Sequence, residues 1–303
     1  MSTLVVKPRN RLAAKFSLPI KSVDWSELDV SVTKTKFNRT TNLLISALVL
    51  INTVCLLFGY LAVQISRKYH SAIGYSSDLK ILKDGNNFFN QIGGVIALLS
   101  FVVFVLLIIW TRRLYESTSR LWLGNRDWGR RWARWAWLLP YWYLFGLPFR
   151  PFNEPQSIKS IVGSSIFLVI PLFFTLLSPI RLLGEIDRML RGNIIFFNAD
   201  GPRLADGWRK ETFSEALGIW FGFFALGMPI MAVSAISMRN PFLFESLEDG
   251  AGHYTQVAKV VLVGCVFVAL AGFSAMFFIQ KTRKRVNERV FAQISSAIKP
   301  KDM

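Results

Sequence analysis

Five stretches of this chain, 41–65, 88–110, 160–180, 216–237 and 260–280, run on as apolar sequence without a single internal charge. A bilayer core of about 30 Å needs roughly 20 helical residues at about 1.5 Å rise each, and every run meets that length. One such run could be a buried helix in a soluble protein, but five in 303 residues could not all be buried that way. The predicted fold class is therefore an all-α integral membrane protein. Hydrophobic residues at 52% and a mean hydropathy of +0.37 agree.

A sixth, weaker span is expected over 132–148. It is short, has Arg131 and Arg134 at its entrance and contains Pro140 and Pro148. A short helix crosses if the bilayer thins or its flanks snorkel; a re-entrant element is the alternative. The charge distribution favours a crossing. The 36 Lys and Arg residues against 19 Asp and Glu would suggest nucleic acid in a soluble protein. In a multi-span protein their position along the chain matters more, because Lys and Arg accumulate on the cytoplasmic side. With six spans, alternate segments hold 8, 7, 6 and 7 basic residues, 28 in all, and the segments between them 4, 2 and 2, 8 in all. Without the weak span, the acidic "FESLEDGAGHY" and the basic "KTRKRVNER" would each fall on the wrong side.

This organisation divides the chain into a basic cytoplasmic arm (1–40), a six-span domain (41–280) and a basic amphipathic cytoplasmic helix (281–303). The arm has the composition of a mitochondrial presequence as well, but a positive-inside tail explains it more simply, and no cleavable signal pattern is expected. Loop 66–87 reads as a soluble outer connection, with a turn at Gly85-Asn86-Asn87. Loop 181–215 begins with a helix that buries Leu182, Leu183, Ile186, Met189 and Leu190. Arg181, Glu185, Arg188 and the Asp187/Arg191 pair lie on its other side, and Gly192 is its stop. An extended run and two turns follow.

The inner side is rich in arginine and tryptophan. Trp128, Trp132 and Trp135 share one helical face, while Arg130, Arg131 and Arg134 point elsewhere. Tryptophan favours the headgroup level, and arginine there meets lipid phosphate with two parallel N–H bonds. Together with Arg112, Arg113, Arg126 and Trp137 these residues form the expected interface for anionic lipid headgroups or for other membrane subunits. Aromatic–arginine alternation also suits single-stranded nucleic acid, but spans on both flanks exclude that partner. Helix packing is expected at Gly218 and Gly222 in the fifth span and at Ala271 and Ala275 in the sixth, where small residues four apart allow close backbone approach.

No catalytic or cofactor chemistry stands out. The spans hold no ionisable residue away from their ends, which argues against a proton pump or ion-coupled transporter. The two histidines, His70 and His253, fall in expected outer loops, so a transmembrane bis-His haem is excluded. A metal or pigment shared between those histidines is geometrically open but has no support. Cys55 and Cys265 lie within spans as packing residues. HExxH, GxSxG and CxxC pairs are absent from the sequence. We expect no cofactor and no metal.

Residues 110–155 contain Trp110 and Arg113, Trp128 with Gly129, Trp137 and Pro140, then Pro148 and Pro151. In this order they resemble the core of the bacterial multi-span membrane family called domain of unknown function 4328. The chain has Asp127 where that family has a proline before its Gly-Trp region. The resemblance implies a bacterial inner-membrane protein and supplies no activity. The expected role is a non-enzymatic accessory or scaffold subunit of a larger membrane complex. The alternatives are a transporter or flippase-like protein for a hydrophobic substrate, or a membrane enzyme with an unfamiliar site.

The expected topology has a direct test. Single cysteines placed at Ser76 and Ser157 should both react with an impermeant thiol reagent from outside. Labelling at Ser76 alone would mean that the crossings between the two positions are misassigned.

Overall fold

The computed structural model describes residues 30–71, 78–119, 136–137, 176–192, 194–197, 201–204, 214–237 and 247–291. Helix α1 spans Val30–Ser71 and α2 Asp78–Ser119. A third helix, α3, occupies 176–191. Strands β1 (Ile194–Phe197) and β2 (Gly201–Leu204) form an antiparallel hairpin that pairs Ile194 with Leu204 and Phe197 with Gly201. Helix α4 covers Glu215–Ser237, and α5 covers Leu247–Arg285 before passing into a π-helical turn, Val286–Phe291.

Among the described residues, three helical segments are long and apolar enough to cross a membrane: Val32–Lys68, Gln91–Thr118 and Tyr254–Phe291. Glu215–Met231 is a shorter apolar helix. With 42 residues each, α1 and α2 are about 60 Å long. That is about twice a bilayer core, so their polar ends stand clear of it.

Helix α5 is the centre of the described bundle, with α1 on one side and α4 on the other; α2 packs on α1. All three pairs are antiparallel. Along α1 and α5, Asn38 meets Asn287, Asn52 meets Gly272, Gly59 meets Leu262 and Cys265, and Ser66 meets Thr255. Along α4 and α5, Trp220 stacks near Phe278 and Gly227 meets Phe267 and Val268. Between α1 and α2, Thr41 bonds Trp110 and Lys36 bonds Arg113.

The core has two parts. At the end where α1 begins and α5 finishes lie Phe37, Trp110, Leu114, Trp137, Leu183, Leu217, Trp220, Phe278 and Phe291. Towards the other end lie Cys55, Phe58, Ala62, Tyr254, Val257, Val261 and Cys265. Residues that face away from both remain large and apolar: Leu43, Val49, Leu50, Leu57 and Tyr60 on α1, and Val263, Val266, Leu270, Phe273 and Phe277 on α5. An apolar outer surface is the pattern a lipid environment demands.

Three expectations change. The soluble stretch expected over 66–87 belongs largely to α1 and α2, which leaves only 72–77 between them. Helix α2 runs through the turn expected at Gly85. An interior glycine costs a helix only about 1 kcal/mol, which neighbouring turns of a long helix absorb. Likewise the described part of the acidic segment before the last span, 247–254, lies in the first turns of α5, because hydropathy registers apolar sequence and not the helix. The extended run is strand β1, while Gly201 and Pro202, expected in a turn, pair in strand β2; the second expected turn, Asp206-Gly207, lies outside the described residues.

Among the described residues, close helix contact runs through Gly227 and Gly264. A Cβ at Gly264 would lie 2.7 Å from the Met231 backbone nitrogen, and one at Gly227 would lie 2.8 Å from that of Val268. By contrast Gly218 and Gly222 have nothing within 4 Å among the described residues. Ala271 and Ala275 are buried in the core. Gly227→Ala and Gly264→Ala should each destabilise the detergent-solubilised protein by about 1–3 kcal/mol, since backbone has to move. Gly222→Ala should be neutral or stabilise by up to about 1 kcal/mol through helix propensity. Thermal unfolding followed by circular dichroism checks the contrast.

Candidate functional site

The polar side chains of the described bundle gather where α1 begins and α2, α3 and α5 finish. All four segments come from the basic-rich side of the sequence. Their bonds form three linked groups.

The first joins α1 to α2. The Arg113 guanidinium donates to the Lys36 carbonyl at 2.6 Å and to the Thr40 hydroxyl. One turn away the buried Trp110 Nε1 donates to Thr41 Oγ1 at 3.2 Å, and Thr41 in turn donates to the Phe37 carbonyl at 2.9 Å. Thr111 accepts at 3.0 Å from Trp137 Nε1. Trp137 also lies 5.9 Å from the Trp220 ring and 6.1 Å from that of Phe221.

The second group ties α3 to the end of α5. Asp187 is almost wholly buried, at 1% exposure, yet both its oxygens face arginine. Arg285 Nη1 is 2.6 Å from Oδ1 and Arg191 Nη2 is 2.7 Å from Oδ2. Burial is tolerable because two cations replace the lost water. Arg289, in the π-helical turn, donates to the carbonyls of Leu190 and Arg191 at 2.9 Å and of Gly192 at 3.2 Å. Carbonyls at a helix C-terminus lack partners within the helix, and a cation there also opposes the helix dipole. The stop expected at Gly192 is observed, with its N–H donating to the Arg188 carbonyl.

The third group joins α1 to α5. Arg283 donates from Nε to Asn38 Oδ1 at 3.0 Å and from Nη1 to Asn42 Oδ1 at 2.7 Å. Asn38 and Asn287 exchange amide bonds at 3.1 and 3.3 Å. These residues border a groove of about 400 Å³ lined by Asn42, Ile45, Ser46, Gln280, Arg283, Lys284 and Asn287.

Of the sequence-predicted interface residues, Arg112 forms an ion pair with Glu116 at 2.9 Å, and Arg113 is engaged within the bundle. Trp137 is a core residue, not a surface one: it is 6% exposed and stacked on α4. Its indole N–H finds Thr111, which removes the reason for it to stay at a wet interface. Arg126, Trp128, Arg130, Arg131, Trp132, Arg134 and Trp135 lie outside the described residues, as do the side chains of His70 and His253. Arg283 and Arg289 belong to the basic cluster "KTRKRVNER" that the sequence marks after the last span, but their pairing with Asn38, Asn42 and the end of α3 was not legible there. The available signal was Asn38 and Asn42 one turn apart at the entrance of a span, opposite a basic cluster leaving another. Among the described residues, no group of three or more His, Cys, Asp or Glu is placed to hold a metal ion.

No family model, curated protein or solved structure matches the chain.

The Asp187 group has a measurable coupling. Asp187→Ala leaves two largely buried arginines facing each other and should destabilise the protein by about 3 kcal/mol. Combined with Arg285→Ala, a double-mutant cycle should return a coupling of about 1–3 kcal/mol. Additive losses would show that the pair does not act as a unit.

Proposed function

We propose that this chain is a polytopic inner-membrane protein of six spans with both termini in the cytoplasm. In this reading it is a non-enzymatic accessory or scaffold subunit that braces a larger membrane complex. Support for the topology comes from connectivity. Helix α2 ends, and α4 begins, at the same end of the described bundle, so an even number of crossings between them fits. The two expected at 132–148 and 160–180 satisfy that parity. All the described basic-rich segments meet at this end.

The uncovered face of α2 is the observation that carries the scaffold reading. Its apolar window is only 17% buried. Val95, Leu98, Val102, Val105 and Ile109, all exposed, recur at alternating spacings of three and four. That is the seam along which one helix packs against another. Gly93 lies beside this seam with Ala97 four residues on, and nothing described lies within 4 Å of a Cβ at Gly93. Small residues four apart admit a second transmembrane helix at close range. Lipid alone requires an apolar surface but not such a seam. The arginine-tied end, in turn, gives the bundle a fixed frame on which that face is presented.

Isolation in mild detergent followed by intact-complex mass measurement tests this. The expected result is a stoichiometric, larger membrane partner that is lost in Gly93→Leu/Ala97→Leu while the helical content and melting of the variant stay unchanged. A wild-type chain recovered alone, with a solvated cavity between its spans, would overturn the scaffold reading and favour a transporter for a hydrophobic substrate.

A further inference from the structure

Arg283 is held in an unusual way for a cation at a membrane boundary. Among the described residues its hydrogen bonds are to amide oxygens, of Asn38 and Asn42, and it has no carboxylate partner there. The nearby acids are engaged elsewhere: Asp187 with Arg191 and Arg285, Glu116 with Arg112, and Glu288 at 3.9 Å from Lys284. Amide dipoles orient a guanidinium but leave its charge uncompensated. Two of its N–H groups are used; a guanidinium has five, so the others remain available at the groove that Arg283 lines.

The groove itself has two characters. Asn42, Ser46, Gln280, Arg283, Lys284 and Asn287 make one part polar and cationic. It lies where the charge-free runs 41–65 and 260–280 end, which is the headgroup level on the basic-rich side. Continuing into the span, Val49 on α1 and Phe273 and Phe277 on α5 are about half exposed. An occupant of this place meets a fixed cation at one end and an apolar track at the other.

We propose that the groove between α1 and α5 binds one anionic phospholipid, with Arg283 as the ligand of its phosphate and Asn38 and Asn42 holding the guanidinium in place. Arginine suits this task because its planar fork meets two phosphate oxygens at once. Lys284 adds a second positive charge, partly offset by Glu288. An acyl chain then follows Val49, Phe273 and Phe277. A free phosphate would satisfy the cation but leave the apolar track unused, which is why a lipid is the favoured source of the anion. The site is separate from the outer face of α2, so it does not depend on the scaffold reading.

Full-length protein, delipidated in a neutral detergent, can be titrated with phosphatidylglycerol or phosphatidylcholine and lipid retention read by intact mass measurement. One phosphatidylglycerol should be retained in preference to phosphatidylcholine by about fivefold or more, the ratio that corresponds to ~1 kcal/mol for one basic group near the surface. Arg283→Gln should abolish the preference. Ser46→Trp, at an exposed lining position, should block the lipid without removing any charge, and it keeps the test decisive if Arg283→Gln does not fold. Lys34, exposed on α1 and not lining the groove, supplies the control: Lys34→Gln should retain the preference.

Equal retention of the two lipids would overturn the proposal, as would an unchanged preference in both groove variants. A loss in Lys34→Gln as large as in Arg283→Gln would mean a diffuse basic field in place of a site. Displacement of the lipid by equimolar glycerol phosphate would mean that the groove takes a free anion. Ser46→Trp should also leave partner recovery intact, which separates failure of this site from failure of the scaffold reading.

Discussion

In hydrocarbon, apolar side chains gain nothing by leaving lipid for one another, so helices hold together only where their surfaces meet closely. Helix α5 satisfies that constraint on two sides. Gly264 lies against the backbone of Met231 on α4, while Gly227 of α4 lies against Val268. On the opposite side Gly59 of α1 meets Leu262 and Cys265, and Gly272 of α5 meets Asn52. At Gly227 and Gly264 a side chain would collide with backbone, at Gly59 it would be tight, and at Gly272 it would displace the Asn52 amide. Everything else in the described bundle, including the placement of α2 on the outside of α1, is arranged around this central helix.

Close packing fixes distance, but the end of the bundle needs a different device. There the helices turn polar, and backbone carbonyls and charged side chains need partners. The protein answers with arginine from the same cluster used in three ways. Arg283 binds amide oxygens of α1, Arg285 a buried carboxylate of α3, and Arg289 the last carbonyls of α3. The π-helical turn matters to this arrangement. It holds Val286, Val290 and Phe291 in the core, and Phe37 of α1 packs 6.4 Å from Phe291. Thus one short segment joins the start of α1, the end of α3 and the end of α5. Of the three arginines only Arg283 lines the groove between α1 and α5, and that position is what favours it for an external anion.

The apolar runs of α1, α2, α4 and α5 were legible in the sequence because a charge-free run of that length has few other uses. Their full extent was not. Hydropathy stops at the bilayer boundary, whereas helical hydrogen bonding continues into polar sequence such as 66–71 and 247–259. The buried face of α3 was also legible, since Leu182, Leu183, Ile186, Met189 and Leu190 follow a helical period and all are buried. Its charged side was only half legible. Asp187 and Arg191 do pair, but Asp187 points inward because Arg285, nearly a hundred residues later, comes to meet it. Contacts of that separation leave no local pattern. The same reason explains the glycines: Gly218 and Gly222 have the familiar spacing, yet spacing alone does not say which face of α4 meets α5. Trp137 shows the converse, a residue read as interfacial by composition and made interior by one threonine on α2.

Asn52 brings these strands together. It sits midway along α1, 3% exposed, and its amide occupies the space where any side chain at 272 would lie. Among the described residues its Nδ2 has no hydrogen-bond partner, and an unpaired buried amide costs about 1–3 kcal/mol. An apolar residue of similar size would avoid that penalty, so stability does not explain the asparagine. Register does. Sliding α1 by about one helical turn along α5 would set Asn52 against Ala269 or Met276, both buried with side chains in the space that Gly272 leaves open. Gly272 is the neighbour that accepts it, and that match keeps Asn38 and Asn42 level with Arg283. The mid-span amide and the headgroup-level arginine are therefore one design: the first selects the register in which the second is assembled.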